Sequence, residues 1–190
     1  MEIRPALPTE AGTVASLWLR SRKASVPSIP PPVHSDGEVH RWFGEIMVSS
    51  QEVWVADRHG QVVALMVLAG KWIDQLYVEP ASTAEGIGSD LVAYAKGLRP
   101  AGLKLWTFQG NLAARRFYEA HGFVATVSTA GDNEERAPDV CYDWCPSGTP
   151  GSVEVRGSGA ALELGGDRVG LIGEGDSRWT AVRFHSSGDS

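Results

Sequence analysis

From Trp72 to Leu98 the chain reads WIDQLYVEPASTAEGIGSDLVAYAKGL, an order of residues that few backbones satisfy. Trp72 to Val78 is an apolar run of strand length, ended by Pro80, which cannot donate to a sheet ladder. Small residues then lead to Gly86-Ile87-Gly88. Beyond them Ile87, Leu91, Tyr94, Ala95 and Leu98 fall at i, i+4, i+7, i+8 and i+11, one face of a helix. The spacing predicts strand, glycine loop, helix. Such a loop gathers backbone N–H groups at the positive end of a helix dipole and favours a phosphate. It is neither common phosphate loop: a dinucleotide fingerprint needs glycine where Leu91 stands, and a P-loop needs Lys-Ser/Thr where Ser89-Asp90 follows Gly88. The plainer alternative is a strand-turn-helix whose glycines serve only the turn.

The remaining elements follow from periodicity and punctuation. Glu2 to Pro5 reads as a short strand. Thr9 is placed to cap the next helix, with Glu10 in its first turn and Val14, Leu17, Trp18 and Ala24 on its apolar side. Val26 to Val33 carries Pro27, Pro30, Pro31 and Pro32 and is a stiff loop. Ser35 or Asp36 caps a second helix through Val48, with Val39, Trp42, Phe43 and Ile46 inward. Glu52–Asp57 and Gln61–Leu68 form a hairpin turned at Arg58-His59-Gly60. Leu103–Phe108 is a strand, Leu112–Ala120 a helix stopped by His121-Gly122, and Phe123–Thr129 and Val140–Trp144 the last strands. The order β-α-α-β-β-β-α-β-α-β-β, with a right-handed crossover from Trp72 to Phe108, predicts a mixed α/β sheet with helices on both faces. Residues 1–146 form this domain. Residues 147–190, which hold 10 of the 22 glycines, form a Gly/Ser-rich extension. Within it, Ala160–Leu164, Val169–Ile172 and Trp179–Phe184 point to a small β appendage or a partly ordered tail.

Charge and composition narrow the partners. The 190 residues carry a net charge of −6 with no block of like charge, which argues against nucleic acid or an anionic membrane as partner. No apolar run reaches membrane-spanning length. Cys141 and Cys145 lie too far apart along a strand for a disulfide, and no nearby histidine completes a zinc set, so reduced thiols, no metal and a cytoplasmic location are expected.

A second motif gives the glycine loop its context. After the strand LKLWTF comes Asn111-Leu-Ala-Ala-Arg-Arg-Phe-Tyr-Glu-Ala-His-Gly-Phe123: an Asn opening a helix, a Phe-Tyr pair, then Gly-Phe and a strand. This resembles the second cofactor motif of the GCN5-related N-acetyltransferases (GNAT), and Trp72–Leu98 resembles their first. The likeness covers residues 2 to 145. It implies a mostly antiparallel sheet of six to seven strands whose two parallel central strands splay apart, with acetyl-CoA as co-substrate in the gap. It implies pantetheine pairing along Leu76, Tyr77 and Val78. The pyrophosphate would rest on the N–H groups of Ala84, Glu85, Gly86, Ile87, Gly88 and Ser89. Asn111 would contact the pantetheine, and Tyr118 would serve as general acid to the CoA thiolate.

Other roles stay open. Asn111 is also a favoured helix cap, and Tyr118 a packed aromatic. Asp74, expected on the face of Leu76 and Val78, is either a base or the partner of a surface cation. Arg22, His34 and Trp42 are candidates for the acceptor entrance, beside readings as surface charge, loop histidine and core. The sequence departs from the family in the loop before Gly86, where arginines are usual and Thr83 and Glu85 stand; Lys96, Arg115 or Arg116 would have to replace them. Trp106 stands where members acting on ribosomal protein N-termini carry Glu. The expected function is transfer of acetyl to a primary amine, with a small-molecule acceptor and a homodimer left open. The alternatives are a degenerate acyl-CoA-binding module without catalysis, and an acetyltransferase for a protein lysine or N-terminus.

Overall fold

A computed structural model describes residues 1–48 and 52–146, with the side chains of Ile46 to Val48 left undescribed. The inward placement of Ile46 and the β segments expected after residue 146 therefore lie outside the described residues.

Seven strands form one sheet in the order β1-β2-β3-β4-β5-β7-β6. They are β1 (Glu2–Pro5), β2 (Glu52–Arg58), β3 (Gln61–Ala69), β4 (Trp72–Val78), β5 (Leu103–Phe108), β6 (Val124–Thr129) and β7 (Asp139–Trp144). The helices are α1 (Ala11–Ala24), α2 (Asp36–Val48), α3 (Ile87–Leu98) and α4 (Leu112–Ala120). Every strand pair is antiparallel except β4 with β5. Alternation along the central strands feeds two cores. On one face Val53, Val55, Leu65 and Val67 meet α1 and α2 through Val14, Leu17, Trp18 and Phe43. On the other, Ala64, Met66 and Leu68 meet α3 and α4 through Ile87, Leu91, Ala95 and Tyr118.

The start of α1 differs from the expected cap. Thr9 lies inside a single 3-10 turn, Pro8–Glu10, and the helix begins at Ala11. The Glu10 carboxylate accepts from the Leu7 N–H at 2.7 Å and pairs with Arg4, which also reaches Asp57. That triad ties the first strand to the helix entry, so the acidic residue is spent on tertiary contacts as well as on the cap. At α2, Ser35 and Glu38 exchange hydrogen bonds as a capping box does.

Candidate active site

β4 and β5 pair in register only at Trp72 and Lys104, beside a backbone bond from Lys104 N–H to Lys71. Beyond that point the two parallel strands separate. Their carboxyl ends open a cleft of about 840 Å³, lined by both strands and by the starts of α3 and α4. The Leu76–Val78 segment, paired with β3 on one side, is thus left without a strand neighbour on its β5 side.

The α3 mouth is built as its glycines predict. Gly86 precedes the helix at φ 84°, which a side chain would strain, and Ala84 also takes a positive φ of 67°. The first turn of α3 leaves its N–H groups without helical partners, and Ala84, Gly86, Ile87, Gly88 and Ser89 line the cleft. Gly88 serves another purpose. A Cβ there would meet the Phe117 ring at 3.3 Å, so its absence lets α4 close on α3.

Glu85 does not project into this mouth. Its carboxylate pairs with Arg58 of the β2–β3 hairpin, and Glu85 is absent from the cleft lining. Thr83 bonds back to the Pro80 carbonyl. The substitute cations are engaged elsewhere. Lys96 donates to the His121 carbonyl and lies over the Trp144 ring at 4.5 Å, and Arg115 donates to the Tyr142 hydroxyl. Neither they nor Arg116 line the cleft. The basic side chains named in the sequence are thus absent from this end, and what lines it is the backbone at the start of α3.

Asn111 caps α4, accepting from Ala114 N–H at 3.1 Å, and also lines the cleft. The cap reading of that residue is the one observed. Tyr118 is 8% exposed, packed edge-on against Phe117 and Phe123. Its hydroxyl takes no hydrogen bond from the described residues, and burial pushes the phenol well above its ordinary value. It lines the cleft as a protonated donor held in place by its ring.

Asp74 sits differently from the sequence expectation. Val67 pairs with Gln75 and Leu68 with Ile73, so Asp74 is the extra residue of a β-bulge. Ile73 packs in the α3-side core, while Gln75, two residues on, accepts from Trp18 Nε1 at 2.8 Å on the α1 side. The simple alternation that placed Asp74 with Leu76 therefore breaks at Asp74. Its carboxylate lines the cleft, takes a 3.3 Å bond from Gln75, and is raised above the usual aspartate value by burial.

Arg22, offered by the sequence as an acceptor-entrance residue or a surface charge, lines the cleft and is not on the surface. It is 1% exposed. Its guanidinium lies 5.4 Å from the Trp18 ring and 5.5 Å from the Phe108 ring, and Nη2 donates to Glu135 Oε1 at 2.8 Å. Arg22 thus crosses from α1 to the end of β5 and to the β6–β7 loop. His34 makes a parallel crossing to Glu134 at 2.9 Å. Trp42 packs edge-on to Phe43 as core. A signal for Arg22 existed: Val14, Leu17, Trp18, Ser21 and Arg22 fall at i, i+3, i+4, i+7 and i+8, and all are buried. Glu135, in a charged loop, carried none.

Comparison with known proteins agrees with this geometry. The model described as acetyltransferase (GNAT) domain matches residues 49–125. The peptidyl-lysine N-acetyltransferase YiaC of Escherichia coli (strain K12) is 27% identical over 143 residues, 75% of this chain and 95% of that protein. Among solved structures, apo-form YjaB from Escherichia coli superposes with a TM-score of 0.62 at 23% identity, covering 75% of this chain and 95% of the other. The acetyltransferase yncA from Salmonella typhimurium, solved with acetyl-CoA, gives 0.60 at 16% identity, covering 86% and 98%. Residues 49–125 thus resemble the acetyltransferase (GNAT) domain, and the fold is shared with these solved structures. Among the described residues no helix is long and apolar enough to cross a membrane, and no group of metal-ligating side chains is found.

Proposed function

We propose that this protein transfers an acetyl group from acetyl-CoA to a primary amine, and that the acceptor is a small molecule. The observation that carries the reading is the splay. A single pair joins β4 to β5, and the gap beyond it brings together an unpaired strand edge, a helix mouth of free N–H groups and the Tyr118 hydroxyl. The unpaired edge of Leu76, Tyr77 and Val78 suits the amide-bearing pantetheine, which adds to it as a strand would. The N–H groups from Ala84 to Ser89 suit a pyrophosphate, Glu85 contributing backbone only, and Asn111 borders the pantetheine path.

The chemistry asks three things of the chain. An alkylamine ionises near ~10.4 and must shed a proton before its nitrogen can attack the thioester carbonyl. Asp74, raised by burial, receives that proton through water. The carbonyl oxygen gains negative charge as the new C–N bond forms, and a backbone N–H of the Leu76–Val78 strand is the donor at hand. The C–S bond then breaks. The departing sulfur accepts a hydrogen bond from the Tyr118 O–H and leaves as the thiol with a proton shed by the acylated amine and relayed through solvent. The products are the N-acetylamine and CoA.

A small acceptor is supported by the Arg22–Glu135 pair, which lines the cleft and joins α1 to the β6–β7 loop. A second reading, a lysine side chain of a protein, is favoured by the name of the YiaC relative. The test is calorimetric titration with acetyl-CoA, followed by thiol release with small amines and with lysine-containing peptides. Absence of acetyl-CoA binding overturns the reading. Turnover of peptides alone transfers it to the second.

A further inference from the structure

The cleft carries more negative charge than a single ammonium needs. Glu135, Asp74 and Asp139 line it, and Arg22 is the one basic residue among the described lining residues. Arg22 is committed to Glu135 and to two ring faces, while Asp74 and Asp139 have no cationic partner among the described residues. Asp139 instead takes hydrogen bonds from Thr129 and Asn133. Two carboxylates therefore remain uncompensated beside a neutral pair.

The form of that pair is the second observation. Arginine commonly grips a carboxylate through two parallel bonds. Here a single Nη2–Oε1 bond is made, and Arg22 Nε is left buried with no partner. Leaving a buried donor unpaired is destabilising. The arrangement that would relieve it, both oxygens of Glu135 on the fork, is not adopted. Glu135 Oε2 consequently accepts nothing from the described residues, on a side chain that lines the cleft.

Building on the acetyltransferase reading, we propose that the acceptor is a diamine: one amine reacts beside Asp74, and a second ammonium is held by Glu135 Oε2. Arg22 is the positioning residue. Fixed on a helix and clamped between Trp18 and Phe108, it holds a loop carboxylate at the cleft by one oxygen and leaves the other to the ligand. The surplus carboxylates favour a dication over a monocation by long-range attraction in a low-dielectric cleft.

The probes are diaminoalkanes of three to six carbons and the matching monoamines. Affinity is read by calorimetry on the CoA-loaded protein, and kcat and KM by thiol release. The expected result is that the best diamine exceeds its monoamine at least about tenfold in affinity and in kcat/KM, the worth of one charge-assisted hydrogen bond. Glu135→Gln, which can still accept from Arg22, should erase that preference through KM. Glu135→Asp should shift the preferred chain length, a response that loss of structure does not produce. Equal affinity for diamine and monoamine, or a preference that survives Glu135→Gln, overturns the proposal. Diamine binding without turnover leaves it standing and refutes the acetyltransferase reading instead.

Discussion

Tyr118→Phe removes one oxygen from the cleft and leaves the packing alone. The ring keeps its edge contacts at 5.2 Å to Phe117 and 5.6 Å to Phe123. Because the hydroxyl takes no hydrogen bond from the described residues, no partner is stranded, and stability should change by less than about 1 kcal/mol. The rate should respond far more. General acids contribute about 10²–10⁴-fold, but the acidities set where in that range Tyr118 falls. A thiol ionises near ~8.5 and an ordinary phenol near ~10, and burial lifts Tyr118 further. Full proton transfer to the thiolate is thus uphill by at least ~1.5 pKa units, about 2 kcal/mol. The hydroxyl acts mainly as a donor to charge developing on sulfur, a bond worth about 1.5–3 kcal/mol. The expected loss in kcat is therefore about 10²-fold, at the low end, with acetyl-CoA affinity within about twofold. Single-turnover thiol release gives the first quantity and calorimetry the second, with thermal unfolding as the control for folding. A kcat within twofold of the parent, or a fall in affinity that accounts for the whole loss, refutes the role of Tyr118.

Three further outcomes follow from the contacts described. Asp74 must be ionised to accept a proton, and burial raises it, so kcat/KM should fall on the acid side at a pH above the ordinary aspartate range. Asp74→Asn should abolish that limb, and a pH profile with the limb intact removes Asp74 from proton transfer. Glu135→Ala strands a charged Arg22 that is 1% exposed, at a cost of about 3–5 kcal/mol measured by denaturant titration. Arg22→Met combined with Glu135→Leu should recover most of that stability, which a loss due to the loop alone would not allow. Finally, hydrogen bonds from Arg4 hold Glu10 and Asp57 below the usual carboxylate range. Their stabilisation is complete above the unfolded values near ~4 and is lost as pH falls through the lower folded ones. The thermal midpoint should drop as pH falls below ~4, less steeply in Arg4→Met, and equal slopes would count the triad out.

What the sequence determined by itself is local, because the forces that set it are local. β4, α3, β5 and α4 begin and end where apolar period, Pro80, Gly86 and Asn111 place them. A proline lacks a donor, a glycine admits positive φ and an Asn caps a helix whatever the rest of the chain does. Asn111 and Tyr118 were legible for the same reason, being positioned by their own helix. The tertiary structure decided the rest. Asp74 became a bulge residue only through its pairing with β3. Glu85 turned from the helix mouth because Arg58, on a distant hairpin, offered a better partner than solvent. Thr9 lost the cap once Arg4 and Leu7 drew the Glu10 carboxylate back across the chain. Arg22 lay on the buried stripe of its helix, but a charge is buried only when a counter-charge arrives, and Glu135 lies in a loop 113 residues away. Neither residue means much alone. The fold sets them together across the gap between two strands, and both line the cleft because of that meeting.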